Sequence, residues 1–573
     1  MTPRAEPAHA EAARAESPRA GVSRAGQWRR HALAFVLYAA LAALFLDHGE
    51  PLLSKIAGRG NDPFIFVWFL QWWPFALTHG LNPLFTGLQW QPAGVAVDWM
   101  TSVPLLALLG WPLTMISPVL TYNVFVLLGP VLAAFAAWLL CLRLTRDPAA
   151  ALVGGFLFGF SSYETAQVSA TLNLSFTVCV PLLLLLAVLR VQGALGRKAT
   201  LLLGTGLLVG QFLICIEVFA LLCVFGTMAW ALALAYLPAQ RKGLRMLAVD
   251  ALLAAPLGLL VLSPFLVSMS EHFDYVHLPP NWPYCLTADL TNYIIPGQTN
   301  LLGRLLHPLG GTFNGGPQEQ DAYLGLPLLL LILFFVREQG ARPGPRLVFV
   351  MFLLLALASL GPGLWIAGHF TGIILPWFAC VHLPLLNDAL PTRFALFVSL
   401  AVALMAALWL AGAPADERRS RLALAGLACL MLLPAPQPWR AVPVSAFFRP
   451  GRVEAVLGAQ ARLMVLPFAI NGPSSYWQAE NRFGFSETGG YLGFIPRPMQ
   501  RFPAAGRLFA DQEGPAFLAD VTSFCALTHT QYLVVGPGTP LALQAEITRL
   551  HWRGRQIDDV IVYDVPGGSM AHG

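Results

Sequence analysis

The stretch that decides the fold is residues 102–116, SVPLLALLGWPLTMI. This run is apolar, but it is shorter than the roughly 20 residues that a straight membrane-crossing helix needs. Arg143 and Arg146 follow the next apolar run along the chain. If residues 102–116 crossed a membrane, these two arginines would lie on the opposite side from the other basic connectors. We therefore predict that this run lies in the membrane interface and does not span.

Apolar runs of spanning length, or close to it, recur along the rest of the chain. They lie near 31–48, 119–142, 148–162, 172–190, 199–216, 217–237, 247–268, 323–336, 346–367, 394–413 and 421–435. The composition fits such a chain, since 56% of the 573 residues are hydrophobic and 11% are charged, whereas soluble domains carry roughly 25% charged residues. The sequence predicts a polytopic α-helical membrane protein with about eleven spans.

Charge sets the predicted orientation. The short basic connectors contain Arg143/Arg146, Arg190/Arg197/Lys198, Arg241/Lys242/Arg245, Arg337/Arg342/Arg346 and Arg418/Arg419/Arg421. The positive-inside rule places them in the cytoplasm, together with the arginine-bearing N-terminal tail. The odd number of spans then sends the C-terminus outside. The predicted organisation is a disordered cytoplasmic tail (1–30), a transmembrane domain (31–435) with its first outer loop at 47–118, and an external domain (436–573).

The external region has a mixed α/β pattern. Ala461–Phe468, Gln531–Val535 and Asp559–Val565 are short apolar or β-branched runs that predict strands. Gly514–Cys525 and Leu541–Leu550 are predicted helices. The region is long enough to bury a core of its own.

The first outer loop contains GRGNDPFIFVWFLQWWPFALTHGLNPLFTGLQWQPAG at 58–94. A helix is predicted from about Asp62, with Asn61 or Asp62 at its N-cap. Its aromatic side chains suit the headgroup level of a membrane. A carboxylate at a helix N-terminus beside a membrane is a candidate catalytic group, although Asp62 as a simple cap is the structural alternative.

Further candidate residues are predicted to bind substrate on the same outer side. Arg393 precedes the tenth span, and an arginine whose charge merely reaches the interface is its structural alternative. Glu217 interrupts an apolar stretch, where a charge is costly, although a hairpin tip would also explain it. The remaining candidates are Asp98 in the first outer loop and Glu271 and His272 at the start of a large outer loop. The Gly-rich segment 486–491 reads as a loop that could pack over the site.

Several phrases resemble one known family. They are NDP ahead of GLNPLF (61–85), YNVFVLLGPVLAAFAAWLLCLRLT (122–145), GFLFGFSSY ahead of TLNLSFTVCVPLLLL (155–185) and LPWFACVHLPLLNDALPTRF (375–394). Together with the span pattern and the external domain, they resemble the GT-C superfamily of membrane glycosyltransferases, in particular its bacterial members that use polyprenyl-phosphate-linked sugars.

The resemblance implies a reaction and a location. Asp62 matches the first-loop carboxylate of the family, which acts as a general base or positions the acceptor hydroxyl or a metal ion. The implied reaction is inverting transfer of a sugar from a polyprenyl-phosphate donor to a glycan or lipid acceptor, at the periplasmic face of a bacterial inner membrane. A divalent metal ion is left open, and no nucleic acid is expected. A transporter or flippase of lipid-linked glycans and a non-catalytic envelope scaffold are the alternatives; the former usually shows internal repeats and polar mid-membrane residues.

Overall fold

The computed structural model describes residues 24–275, 286–383, 386, 389–510, 512 and 516–568. Helices occupy all eleven predicted positions. They are Arg24–Ala42 (continuing as the π-helical turn Ala43–Asp47), Pro118–Thr145, Pro148–Gly159, Cys179–Val191, Arg197–Ile214, Ile216–Tyr236, Arg241–Glu271, Leu326–Gln339, Pro343–Ser359, Ala395–Ala411 and Arg418–Met431. Among the described residues, seven helical stretches are long and apolar enough to cross a membrane.

The helices alternate in direction, so the basic connectors meet at one end of the bundle, here named the basic end. Arg190 pairs with Asp250 at 2.5 Å, and Arg418 pairs with Asp147 at 2.7 Å. Arg421 is 2.7 Å from Glu338. The first outer loop, the other long loops and the C-terminal region (436–568) lie at the other end, here named the carboxylate end after the acidic side chains described below. This arrangement agrees with the alternation predicted from charge.

Residues 102–116 do not form a spanning helix. They fold into two short helices, Pro104–Leu109 and Trp111–Thr114, as the charge pattern predicts. Two other boundaries differ from expectation. The first helix already begins at Arg24, within the predicted disordered tail, of which residues 1–23 lie outside the described part. The predicted span 346–367 ends at Ser359, because Gly361 adopts a positive φ of 75° and a strand follows.

The C-terminal region contains a five-stranded sheet with strand order Arg553–Ile557, Val560–Asp564, Tyr532–Val535, Arg462–Leu466, Ser486–Glu487. The two central strands run parallel, with Leu463 opposite Tyr532 and Leu466 opposite Val535. Strands and helices therefore appear where the sequence predicts them, the helices being Phe517–Leu527 and Leu541–Thr548. Residues 514 and 515, at the start of the first predicted helix, lie outside the described residues.

Further short elements connect these parts. Their bounds are Lys55–Ala57, Asp62–Thr78, Phe85–Thr86, Val95–Ala96, Ser162–Gln167, Leu172–Ser175, Leu301–Leu305, His307–Gly310, Gly363–Ile366, His369–Ile374, Pro376–His382, Pro391–Phe394, Trp439–Ala441, Arg452–Leu457, Ser474–Glu480, Arg497–Gln500 and Pro503–Phe509.

The C-terminal region packs directly onto the first outer loop. The backbone amides of Trp90 and Gln91 donate to the carbonyls of Gly489 and Glu487, at 2.8 and 2.9 Å. The helix Asp62–Thr78, here named the aromatic helix, lies beneath this contact, and its Trp68 Nε1 donates to Gln478 Oε1 at 2.7 Å. The expectation that its aromatic flank faces the membrane headgroups is therefore wrong. Trp68 and Trp72 are fully buried, since the C-terminal region covers them.

Candidate active site

Asp62 is the first residue of the aromatic helix and lies at the carboxylate end of the bundle. Asn61 occupies the N-cap position, but its side chain donates to the Ile470 carbonyl at 2.7 Å and does not cap the helix. Oδ1 of Asp62 accepts a hydrogen bond of 2.9 Å from the Tyr491 hydroxyl. Burial raises the pKa of Asp62 above its ordinary value, and the Tyr491 hydrogen bond opposes that rise. A half-buried carboxylate with a raised pKa has the properties of a general base.

The chain approaches Asp62 through a segment that is fixed on both sides. Gly58 has a φ of +108°, and a Cβ there would lie 2.8 Å from the Ser169 carbonyl oxygen, so only glycine fits. Its amide donates to the Pro438 carbonyl at 2.9 Å, and the Arg59 amide donates to the Ser169 carbonyl at 2.7 Å. These contacts hold Asp62 between the bundle and the C-terminal region.

Arg440 contacts this segment from the C-terminal region, and sequence reasoning missed it. It follows from the antiparallel pairing of Lys55–Ala57 with Trp439–Ala441, which places Arg440 opposite Ile56. Its guanidinium donates to the Gly60 carbonyl and, at 3.5 Å, to Asn61 Oδ1, and it lies 4.6 Å from the centroid of the Phe64 ring. The sequence did contain a signal for Arg440, because it is a basic residue after the last span, on the side of the membrane where positive charge is unexpected.

Three buried arginine nitrogens at this end of the bundle have no hydrogen-bond partner among the described residues. They are Nε of Arg440, of Arg59 and of Arg393. Burial also lowers the pKa of Arg440 from its ordinary value. An anionic group placed beside Arg440 would supply a partner for its Nε.

Arg393 and Glu217 were predicted separately as substrate-binding residues, and the structure brings them together. Nη1 of Arg393 forms an ion pair with Glu217 Oε2, and its Nη2 lies 3.8 Å from Glu319 Oε1. Glu319, which the sequence did not single out, completes a set of three residues here named the charge cluster. Arg393 is therefore already paired with two carboxylates.

A second acidic residue supports the charge cluster. Asp321 accepts hydrogen bonds from Thr392 Oγ1 at 2.7 Å and from Gln167 Nε2 at 3.3 Å. Burial, with a contribution from the nearby charge of Glu319, raises the pKa of Asp321 to about 8. Burial is also the main cause of the raised pKa of Glu319, and the charge of Asp62 adds to it.

Residues 163–171 are almost wholly buried. They contact both parts of the site, because the Ser169 carbonyl accepts from the Arg59 amide and Gln167 donates to Asp321. Gln167 also donates to the Gln318 carbonyl at 3.0 Å, and the Thr165 carbonyl accepts from Gln437 Nε2 at 3.3 Å. This burial is possible because polar side chains and backbone groups of this segment form hydrogen bonds with neighbouring loops.

Asp98 and His272 also meet, but as a separate pair. His272 Nδ1 lies 3.4 Å from Asp98 Oδ2, and the imidazole stacks on Phe85 with ring centroids 5.5 Å apart. Glu271 is exposed beside them. In the described part of the chain, no hydrogen bond or ion pair joins these residues to Asp62 or to the charge cluster. The pair connects the first outer loop to the end of the helix Arg241–Glu271.

An open groove of about 840 Å³ runs along the other end of the aromatic helix. Its walls come from the aromatic helix, residues 111–119 and the C-terminal region, including Gln71, Met115, Val442, Tyr476 and Arg482. Asp62 is not one of its lining residues. The two are nevertheless adjacent, since Tyr476 packs on Phe64 with ring centroids 5.5 Å apart.

The arrangement of the acidic side chains also bears on metal binding. Across the described residues, no group of three or more His, Cys, Asp or Glu side chains is arranged to hold a metal ion. The carboxylates near Asp62 instead pair with Arg393, Thr392 and Tyr491.

No protein-family model and no curated protein matches the chain. Solved structures do. Arabinofuranosyltransferase AftD from Mycobacteria aligns with a TM-score of 0.57 at 15% identity, over 95% of this chain and 40% of that one. A mutant of AftD aligns with a TM-score of 0.60 at 14% identity, over 95% and 42% of the two chains. ArnT from Cupriavidus metallidurans aligns more loosely, with a TM-score of 0.44 at 11% identity, over 96% and 100%.

The two AftD alignments show that the chain has the fold of the GT-C membrane glycosyltransferases, in agreement with the resemblance seen in the sequence. The chain is a multi-pass membrane protein. The chain spans about two fifths of the length of AftD.

Proposed function

We propose that the protein is a glycosyltransferase that moves a sugar from a polyprenyl-phosphate donor to an acceptor hydroxyl at the carboxylate end of the bundle. This end faces the periplasm if the basic end lies in the cytoplasm, as the positive-inside rule requires. The observation that carries the proposal is Asp62, held at a helix N-terminus by Tyr491 with Arg440 on the preceding turn. The fold supports it as the scaffold on which such chemistry occurs.

The proposed reaction is a single displacement. The Asp62 carboxylate accepts the proton of the acceptor hydroxyl while that oxygen forms a bond to the anomeric carbon. The bond between the anomeric carbon and the phosphate oxygen breaks, and its electron pair leaves with the polyprenyl phosphate. Attack opposite to the leaving group inverts the anomeric configuration.

The leaving phosphate needs positive charge close to Asp62. Arg440 and Arg59 supply it in this proposal, because their buried Nε groups have no partner within the described residues. A guanidinium that contacts only carbonyl and amide oxygens has no carboxylate to neutralise its charge, so it can bind a phosphate strongly. Arg393 was predicted for this role, but its two carboxylate partners make it better suited to orient Glu217 and Glu319 toward sugar hydroxyls.

The test is sugar transfer by the purified protein in detergent, with radiolabelled polyprenyl-phosphate monosaccharides as donors and cell-envelope extract as acceptor. Polyprenyl-phosphate arabinofuranose is the first donor to try, given the fold shared with AftD. Label transfer in detergent supports an enzyme, because transport across a membrane cannot be scored there. No transfer from any donor, with movement of lipid-linked glycans in proteoliposomes, would instead establish the flippase alternative.

A further inference from the structure

The chain between the helix Pro343–Ser359 and the charge cluster has an unusual composition. From Gly361 to Asn387 it contains no Asp, Glu, Lys or Arg. The sequence predicted part of it, from residue 368, as an outer loop. The structure folds it into an antiparallel hairpin of strands Gly363–Ile366 and His369–Ile374, here named the outer hairpin.

The outer hairpin is held firmly in place. The amides at its turn, Ala367 and Gly368, donate to the two carboxylate oxygens of Asp289 at 3.0 and 2.7 Å. Gly368 has a φ of +80°, and a Cβ there would lie 1.9 Å from the Thr312 carbonyl oxygen. Trp377, which follows the hairpin, packs edge-on against Phe394 with ring centroids 4.7 Å apart. The position of the hairpin is therefore set by specific contacts.

Three of its outward side chains are large and apolar, and His369 and Thr371 are the polar ones among them. The strand His369–Ile374 is exposed along its whole length, with Phe370 49%, Ile373 53% and Ile374 56% exposed. The neighbouring helices Leu301–Leu305 and His307–Gly310 add Leu305 at 77% and Leu309 at 54%. A continuous apolar surface of this kind in water would be a site of aggregation.

The position of this surface beside the ends of the bundle helices indicates what covers it. The hairpin starts directly after Pro343–Ser359, a helix of the bundle whose Leu353 is 48% exposed. The Leu301 amide donates to the Leu433 carbonyl at 2.9 Å, which joins the short helices to the end of the last bundle helix. The apolar surface thus adjoins the outer surface of the bundle, with Arg304 as an exposed charge beside it. The half-buried Trp365 lies at its margin, as interfacial tryptophans do.

We propose that the outer hairpin and the two short helices lie in the membrane interface at the carboxylate end, with their exposed apolar side chains in contact with lipid acyl chains and Arg304 at the level of the headgroups. They form a monotopic element that keeps this edge of the bundle in the bilayer, beside the charge cluster. The proposal concerns lipid contact alone and does not depend on sugar transfer.

The test places the photo-crosslinking amino acid p-benzoylphenylalanine at Ile373 in the full-length protein. The protein is reconstituted in vesicles of phosphatidylethanolamine and phosphatidylglycerol, irradiated, and analysed by mass spectrometry for covalent lipid adducts. Leu260, 72% exposed on the helix Arg241–Glu271, is the lipid-facing control, and Leu541, 81% exposed on the C-terminal region, is the water-facing control. Phe370 is a second reporter position if the Ile373 variant does not fold.

The proposal predicts lipid adducts at Ile373 within about twofold of those at Leu260 and roughly tenfold above those at Leu541. Adduct levels at Ile373 equal to those at Leu541 would overturn it. Crosslinks at Ile373 to a second copy of the chain, or to another protein when native membranes are used, would also overturn it by showing that protein covers the surface.

Discussion

The hydroxyl of Tyr491 donates a 2.9 Å hydrogen bond to Oδ1 of Asp62. This contact joins the Gly-rich segment 486–491 of the C-terminal region to the first residue of the aromatic helix. It also opposes the effect of burial on Asp62, since a hydrogen bond to the charged form lowers the pKa of a carboxyl group. The C-terminal region therefore has a direct influence on the proposed catalytic base.

Replacing Tyr491 by Phe should shift the pH dependence of sugar transfer. Loss of the hydrogen bond raises the pKa of Asp62, so the acid limb of the rate profile should move to higher pH. The measurement is kcat/KM for transfer between pH 5 and 9. Tyr476→Phe is the matched control, because its hydroxyl contacts Glu480 rather than Asp62. An unshifted profile in Tyr491→Phe would show that the two groups are not coupled during turnover.

Replacing Arg440 by Gln should weaken donor binding. The change removes a positive charge whose Nε is buried and unpartnered, so KM for the polyprenyl-phosphate donor should rise roughly tenfold to a hundredfold. KM for the acceptor should stay within about twofold of the wild-type value, as expected for a residue that binds only the phosphate. Arg449→Gln, an exposed arginine of the same region, is the control. Equal donor KM values in both variants would exclude Arg440 as a phosphate ligand.

The charge cluster should contribute to stability as well as to the site. Arg393→Met leaves Glu217 and Glu319 without their cation, and such a loss typically costs roughly 3 kcal/mol. Thermal unfolding in detergent should show a clear fall in midpoint, and Glu217→Gln in the same background should restore part of it. Arg549→Ala, which removes an exposed surface pair, should leave the midpoint nearly unchanged. Equal effects of the two arginine substitutions would contradict this account.

Glu487 makes the stability of the protein depend on pH. Burial raises its pKa from 4.5 to about 8 in the folded chain. The folded protein holds this proton more tightly than the unfolded chain does, so the neutral carboxyl group stabilises the fold at low pH. This contribution is lost as the pH rises through the folded pKa. Glu487→Gln should therefore unfold at a higher temperature than the wild type at pH 9, with a smaller difference at pH 5. A constant difference at both pH values would show that the carboxyl group does not titrate as described.

The bundle could be predicted from the sequence because charge and hydropathy act locally. The basic connectors and the non-spanning run 102–116 were sufficient to set the alternation of helices, and Asp62 was identified from its position at the start of the aromatic helix. The partners of Asp62 were not predictable in the same way. Tyr491 and Arg440 lie hundreds of residues away, and only the packing of the C-terminal region onto the first outer loop brings them near.

Two features of the site were not predicted, for a related physical reason. Residues 163–171 are polar, and their burial depends on hydrogen bonds to other loops. Asp321 and Glu319 were overlooked because a carboxylate in a long loop gives no sequence signal of its burial. Burial on both sides of the site depends on contacts between distant segments, which a pattern within one segment does not report.

The most direct measurement is the rate of sugar transfer by Asp62→Asn, compared with Asp274→Asn, an exposed carboxylate at the same end of the bundle. The account predicts a fall in kcat of about a hundredfold or more for Asp62→Asn, with donor KM nearly unchanged, because a general base contributes on that scale. Asp274→Asn should retain full activity. Wild-type activity in a folded Asp62→Asn protein would contradict the central claim that Asp62 accepts the proton of the acceptor hydroxyl.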